Sequence, residues 1–166
     1  SLLKKNLRLS FEFYRQIKIN LHNFGIIEVP IPYKILNNPR SDWTHNYNKK
    51  YYRNLTLSES TNIALKNMEK LSDLLKENKI DLSVAVYPLP GTLKYDSENN
   101  KHAQLWYNFC STNCKKFYNF MPLFFKMLNE EGFSSLYKKI YIRDDVHFNE
   151  QGNKIIAENF LKMYLH

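Results

Sequence analysis

The chain has 166 residues, 43% of them apolar and 15% aromatic, enough to fill one domain-sized core and too many for an intrinsically disordered segment. Its formal charge of +8 invites acidic partners, yet the lysines fall in scattered pairs such as Lys4-Lys5, Lys49-Lys50, Lys115-Lys116 and Lys138-Lys139, with no nucleic-acid motif beside them. Nucleic-acid binding is therefore not expected, and no run approaches the ~20 apolar residues of a membrane span. The opening residues carry no signal-peptide pattern.

In chain order, residues 2–20 read as a basic amphipathic helix with Leu2, Leu3, Leu7, Leu9, Phe13 and Ile17 on its apolar side. From His22 to Arg53 prolines and asparagines surround the aromatic stretch Trp43-Thr44-His45-Asn46-Tyr47, the signature of an irregular connection. The texture changes near residue 56, which suggests two parts, 1–55 and 56–166. Thr56 to Asn78 predicts a capped helix with Ile63, Met68, Leu71, Leu74 and Leu75 at helical spacing. Leu82 to Tyr87 is a β-branched run stopped by Pro88 and Pro90 and predicts a buried strand.

Beyond it, the pattern predicts a helix over 99–113, a short strand over Lys116 to Phe120, helical pieces over Met121 to Leu128 and Ser134 to Lys139, and an extended Ile140 to Ile142. A last helix follows from about Glu150 to Tyr164, with Ile156, Phe160 and Met163 inward. Such alternation is the rhythm of an α/β domain with a parallel sheet, because parallel strands need helical crossovers. The fold class expected is thus α/β, a partial flavodoxin-like three-layer arrangement with a short parallel sheet flanked by helices. Ligands in such folds gather at the carboxyl ends of strands, here the loops at Tyr87 to Lys94 and Arg143 to Asn149.

Cys110 and Cys114 lie four apart with no second pair and no histidine at zinc-finger spacing, so no structural metal is expected. Two reduced thiols at a helix end are favoured over a local disulfide.

The sharpest local feature is Arg143-Asp144-Asp145-Val146-His147-Phe148-Asn149-Glu150-Gln151-Gly152, a polar turn entering the last helix with Asn149 as its cap. A carboxylate three residues before a histidine, on a loop at a sheet's carboxyl edge, fixes the imidazole tautomer and leaves one ring nitrogen as general base. A second copy, Asp42 to His45, has no strand before it and no capped helix after it. The bland alternative makes Asp144 and Asp145 helix-leading acids beside a surface histidine.

The stretch resembles the closing block of the SGNH (GDSL-type) hydrolases, in which Asp-x-x-His is followed by Asn, Gly and a terminal helix. His147, Asn149, Gly152 and Ala157 match that pattern. The Tyr-Pro-x-Pro segment after the strand and the aromatic and cysteine-bearing segment from Trp106 to Pro122 are similar to bacterial SGNH-domain proteins linked to cell-surface polysaccharide acylation. The resemblance covers residues 56–164, and more faintly Trp43 to Tyr52.

It implies a serine esterase or acyltransferase without cofactor, acting on a carbohydrate or acyl-ester substrate. In that reading His147 is the base, Asp144 its orienting partner with Asp145 the lesser candidate, and Tyr87, Pro88 and Pro90 line a substrate groove. The compartment it leaves open is cytoplasm or cell envelope, in a bacterium. The family's nucleophile lies in a Gly-Asp-Ser turn, and none of Gly25, Gly91, Gly132 and Gly152 is followed by Asp-Ser. Ser41, Ser83, Ser97, Ser111, Ser134 and Ser135 lack a strand-to-helix elbow, and a Cys110–His147 pair has nothing local to activate the thiol. The resemblance therefore implies a nucleophile half encoded upstream of Ser1. The competing reading is a non-catalytic α/β binding domain for an anionic glycan or a protein partner.

Overall fold

The computed structural model describes residues 55–165 continuously, together with Ser10, Phe13, Tyr14, Gln16, Ile17, Asn20, Leu21, Ile31, Tyr33–Leu36 and Trp43–His45. The chain groups into two compact units, Ser1–Pro32 and Tyr33–His166. Within the first, the described residues from Ser10 to Leu21 are helical, with Phe13 and Ile17 exposed. Leu2, Leu3, Leu7 and Leu9 lie outside the described residues.

The second unit begins at Tyr33, and the first elements beyond Pro32 already join the α/β body. A four-residue helix α1 (Tyr33–Leu36) buries Ile35, and the turn at Trp43–His45 buries Thr44.

The second unit continues with α2 (Leu57–Glu77), β1 (Ser83–Val86), α3 (Pro90–Tyr95), α4 (Lys101–Asn113), β2 (Lys116–Asn119), α5 (Met121–Glu131), α6 (Phe133–Ile140) and α7 (Glu150–Leu165). Helix α2 starts where the sequence places it: the Thr56 side chain accepts from Glu59 N at 3.2 Å, and Glu59 accepts from Thr56 N at 2.7 Å. This reciprocal arrangement satisfies donors that a helix start otherwise leaves orphaned. The face of α2 turned to the body carries Ser72, whose hydroxyl donates to Asn113 O at the end of α4, while Ile63, Leu71 and Leu74 are exposed.

Strands β1 and β2 run parallel in register, Ser83 opposite Lys116 and Val86 opposite Asn119. Successive strand residues face opposite sides. Phe117 meets Tyr107 of α4 at 5.9 Å between ring centroids, whereas Tyr118 meets Phe160 of α7 at 4.7 Å. Helices therefore cover both sheet faces, and the expected α/β layering with a short parallel sheet is present. Only half of β1 is covered as a buried strand would be, since Ser83 and Ala85 are exposed among the described residues.

Helix α3 lies where the sequence predicts a loop. Pro90 ends the strand and also opens a helix, where its missing N–H is no loss and its fixed φ suits the first turn. Gly132, at φ +74°, breaks α5 from α6 in a conformation that side-chain-bearing residues rarely adopt. The core gathers around Phe120, Met121, Phe124, Leu136 and Ile140, all at 1% exposure or less.

Cys110 and Cys114 form a disulfide, contrary to the reduced pair expected. Four residues apart they share a helix face, and Cys114 leaves the helix with extended backbone, which brings the two Cα atoms to 4.5 Å. Closing so short a loop should contribute about 2 kcal/mol. Denaturation with and without a phosphine reductant should show that difference in unfolding free energy; coincident curves would argue that the bridge stabilises nothing.

Candidate active site

The loop between α6 and α7 is assembled from backbone bonds before any side chain acts. Tyr141 and Phe148 form an isolated antiparallel bridge, Ile142 N donates to His147 O at 2.9 Å, and Asn149 N donates to Ile140 O at 2.9 Å. Inside this loop a tight turn closes with Asp145 N donating to Ile142 O at 3.1 Å. Its third residue, Asp144, has φ +57°, a left-handed corner that aspartate tolerates better than most residues. Asn149 caps α7 as expected, its Oδ1 accepting from Gly152 N at 3.0 Å. Its amide donates to the carbonyls of Lys139 and Tyr141, which fastens the helix start to the loop.

Two buried tyrosines hold the loop against the sheet edge. Tyr141 donates from its hydroxyl to Pro88 O at 2.7 Å, joining the loop to the chain leaving β1. Burial drives its phenol well above the usual range, with Tyr137 and Tyr87 adding to the shift. Tyr137 donates from its hydroxyl toward Ile142 O at 3.3 Å and Asp145 O at 3.1 Å. The rings continue as a column: Tyr137 lies 5.5 Å from Tyr141, Tyr141 lies 4.8 Å from Phe148, and Phe148 lies 5.2 Å from Phe124 and 5.4 Å from Tyr87. The two loops expected at the carboxyl edge of the sheet thus meet.

Within this frame His147 is held by a carboxylate, but by Asp145 instead of the expected Asp144. The His147 Nδ1 lies 2.7 Å from Asp145 Oδ1, and the same oxygen accepts from Val146 N at 2.6 Å and His147 N at 3.2 Å. Local chemistry permits this contact. Aspartate readily caps the backbone two residues on, and the His147 ring belongs to that second residue. Asp144, at the left-handed corner, instead sits 3.8 Å from Arg143 Nε. The Asp145 carboxyl is held below its ordinary pKa of 3.8, chiefly by the His147 contact and then by the two backbone donors.

A ring carrying its proton on Nδ1 toward Asp145 would present the Nε2 lone pair. Nε2 makes no hydrogen bond among the described residues, and the side chain is 70% exposed. Such a ring can take a proton from a hydroxyl brought to it.

Of the groove residues expected, Tyr87 is exposed beside Phe148, while Pro88 and Pro90 are fully buried. Both prolines pack at the strand end with no side-chain surface to offer a ligand, and Pro90 opens α3. In the second Asp-x-x-His copy, Asp42 lies outside the described residues. His45 lies 3.4 Å by its Nδ1 from the Thr44 hydroxyl and 5.4 Å from the Tyr95 ring at a tilt, and Trp43 lies 5.7 Å from His102. Burial lowers the pKa of His102. Cys110 is taken by its disulfide and offers no thiol. Among the described residues no group of three His, Cys, Asp or Glu side chains forms a metal site, and no helix is long and apolar enough to cross a membrane.

Asp145, the lesser candidate in the sequence, is the residue that contacts His147, while the sequence assigns no role to Tyr137, Tyr141 or Phe148. The four-residue spacing of Tyr137 and Tyr141 at the end of α6 was a visible signal of a shared face. No family profile, curated protein or solved structure matches this chain.

Proposed function

We propose that this chain is the carboxy-terminal part of an SGNH-type hydrolase domain that hydrolyses or transfers an acyl ester on a carbohydrate, with the serine nucleophile supplied from sequence upstream of Ser1. The observation that carries the reading is the Asp145–His147 pair at the carboxyl edge of a parallel sheet, its Nδ1 held and its Nε2 turned to no internal partner. Exposed Tyr87 beside Phe148 supports a face for a sugar ring. The Cys110–Cys114 bridge supports an oxidising compartment, in keeping with a cell-surface substrate. In the reaction His147 takes the proton of the serine hydroxyl as it attacks the ester carbonyl, then returns it to the departing alcohol, while Asp145 holds the ring.

The test uses the protein encoded by the whole gene. Its turnover of p-nitrophenyl acetate should fall by a factor on the order of 10³ on changing His147 to Ala. The 166-residue chain alone should show no appreciable esterase activity and no labelling by a serine-reactive probe. Unchanged turnover in the His147 variant would remove the base, and with it the hydrolase. A non-catalytic glycan- or protein-binding domain would then be favoured, a reading whose present support is the missing Gly-Asp-Ser motif.

A further inference from the structure

We infer that Tyr137 is a positioning residue for the Asp145–His147 pair, setting the imidazole tautomer through the backbone of the turn that carries the acid. Its ring is 4% exposed, packed on Tyr141 at 5.5 Å and on Phe133 at 6.3 Å, so the hydroxyl is delivered to one place. There a single phenolic proton is shared between two carbonyl oxygens, Ile142 O at 3.3 Å and Asp145 O at 3.1 Å. These are the first and last residues of the turn that Asp145 N closes onto Ile142 O. Both ends of the turn are therefore tied to one atom of α6. The carboxylate extending from the last of them reaches Nδ1 at 2.7 Å.

The tie has a chemical consequence. An unconstrained histidine side chain favours the proton on Nε2, which would point the wrong nitrogen at a hydroxyl. Here a carboxylate at fixed distance holds the proton on Nδ1 and leaves Nε2 basic. A turn free to relax lets Asp145 leave the ring, since both side chains are largely solvent-facing, at 44% and 70% exposure. Burial of the Tyr137 phenol raises its pKa, so the donor stays protonated through neutral pH. Tyr141 does a different job with the same chemistry, since its hydroxyl reaches Pro88 O on the β1 side.

The experiment is ¹⁵N–¹H long-range correlation of the His147 ring in the 166-residue chain above its titration. Wild type should give the Nδ1-protonated pattern. Tyr137→Phe should give a mixture moved toward the Nε2-protonated form, and amide exchange of Asp145 should quicken at least tenfold while amides of β1 and β2 keep their rates. Tyr141→Phe, which leaves the turn tied, should keep the wild-type ring pattern. Should phenylalanine unfold the protein, 4-fluorophenylalanine at position 137 fills the hydroxyl's volume without a proton to donate and must give the same mixture. A single Nδ1-protonated pattern in either folded variant overturns the inference.

In the protein from the whole gene, kcat should drop on the order of tenfold in Tyr137→Phe with KM little changed, as expected of a base slightly misplaced. An equal loss in KM alone would contradict positioning. The relevance to catalysis rests on the proposed function, but the ring spectrum does not require activity, so the two fail separately.

Discussion

Changing Gly152 to Ala should destabilise the protein by about 2 kcal/mol or more, although the residue lies in the first turn of α7, where alanine would ordinarily be worth about 1 kcal/mol over glycine. A Cβ there would stand 2.3 Å from Ile140 O, 2.7 Å from Phe148 Cδ1 and 3.0 Å from Phe148 Cβ. The carbonyl cannot easily yield, because it is backbone and already accepts from Asn149 N. Phe148 cannot yield either without leaving the stack with Tyr141 and Phe124. At this chain length the loss corresponds to a Tm lower by roughly 4–8 °C. Because helix propensity alone has the opposite sign, a variant as stable as wild type or more so would show that the close approach of α7 to the loop is not tight. Ring resonances of Phe148 and His147 should shift together, since the clash pushes on the residue next to the base.

Exchanging Asp145 for Asn should cost the protein encoded by the whole gene a factor on the order of 10²–10⁴ in turnover, by analogy with triads whose acid is neutralised. Asn keeps the shape and the backbone acceptor, but its carboxamide no longer favours a proton on Nδ1. The same change at Asp144, whose contact is with Arg143, should cost less than about tenfold. The reverse order of effects would return the acid role to Asp144, where the motif spacing had put it.

The pH dependence has a definite sign. The folded pKa of Asp145 lies below its ordinary value, so its contribution to stability is complete above that value and is lost as pH falls through the lower folded one. The stability gap between wild type and Asp145→Asn should therefore be flat above about pH 5 and close below about pH 4. A gap that widens as pH falls below about 4 would contradict the lowered Asp145 pKa. Because both side chains are largely exposed, the gap should also shrink in high salt.

Element order was largely legible without coordinates, because it is written in local chemistry. The Thr56-to-Glu59 capping box, the β-branched run before Pro88 and the Asn149 cap each act within a few residues, and each lies where periodicity placed it. The alternation of helix and strand likewise implied a parallel sheet, and β1 and β2 pair so. What spacing could not tell was which of two adjacent acids faces His147. That goes with a left-handed corner at Asp144, in a turn whose two ends both accept from Tyr137 on another element.

The prolines illustrate the same division. Their power to stop a strand is intrinsic to the ring, but their burial is a tertiary outcome, and Tyr141, more than fifty residues along the chain, donates to Pro88 O. The bridging of Cys110 to Cys114 required knowing that the chain leaves the helix at the second cysteine. By itself, then, the sequence determined the α/β class, the capped starts of α2 and α7 and the histidine loop as the place of interest, since caps, prolines and periodicity act over one or two turns. Only the tertiary structure decided the partner of that histidine, the exposure of Tyr87 and the burial of its neighbouring prolines, because each is set by contacts between residues that folding alone brings together.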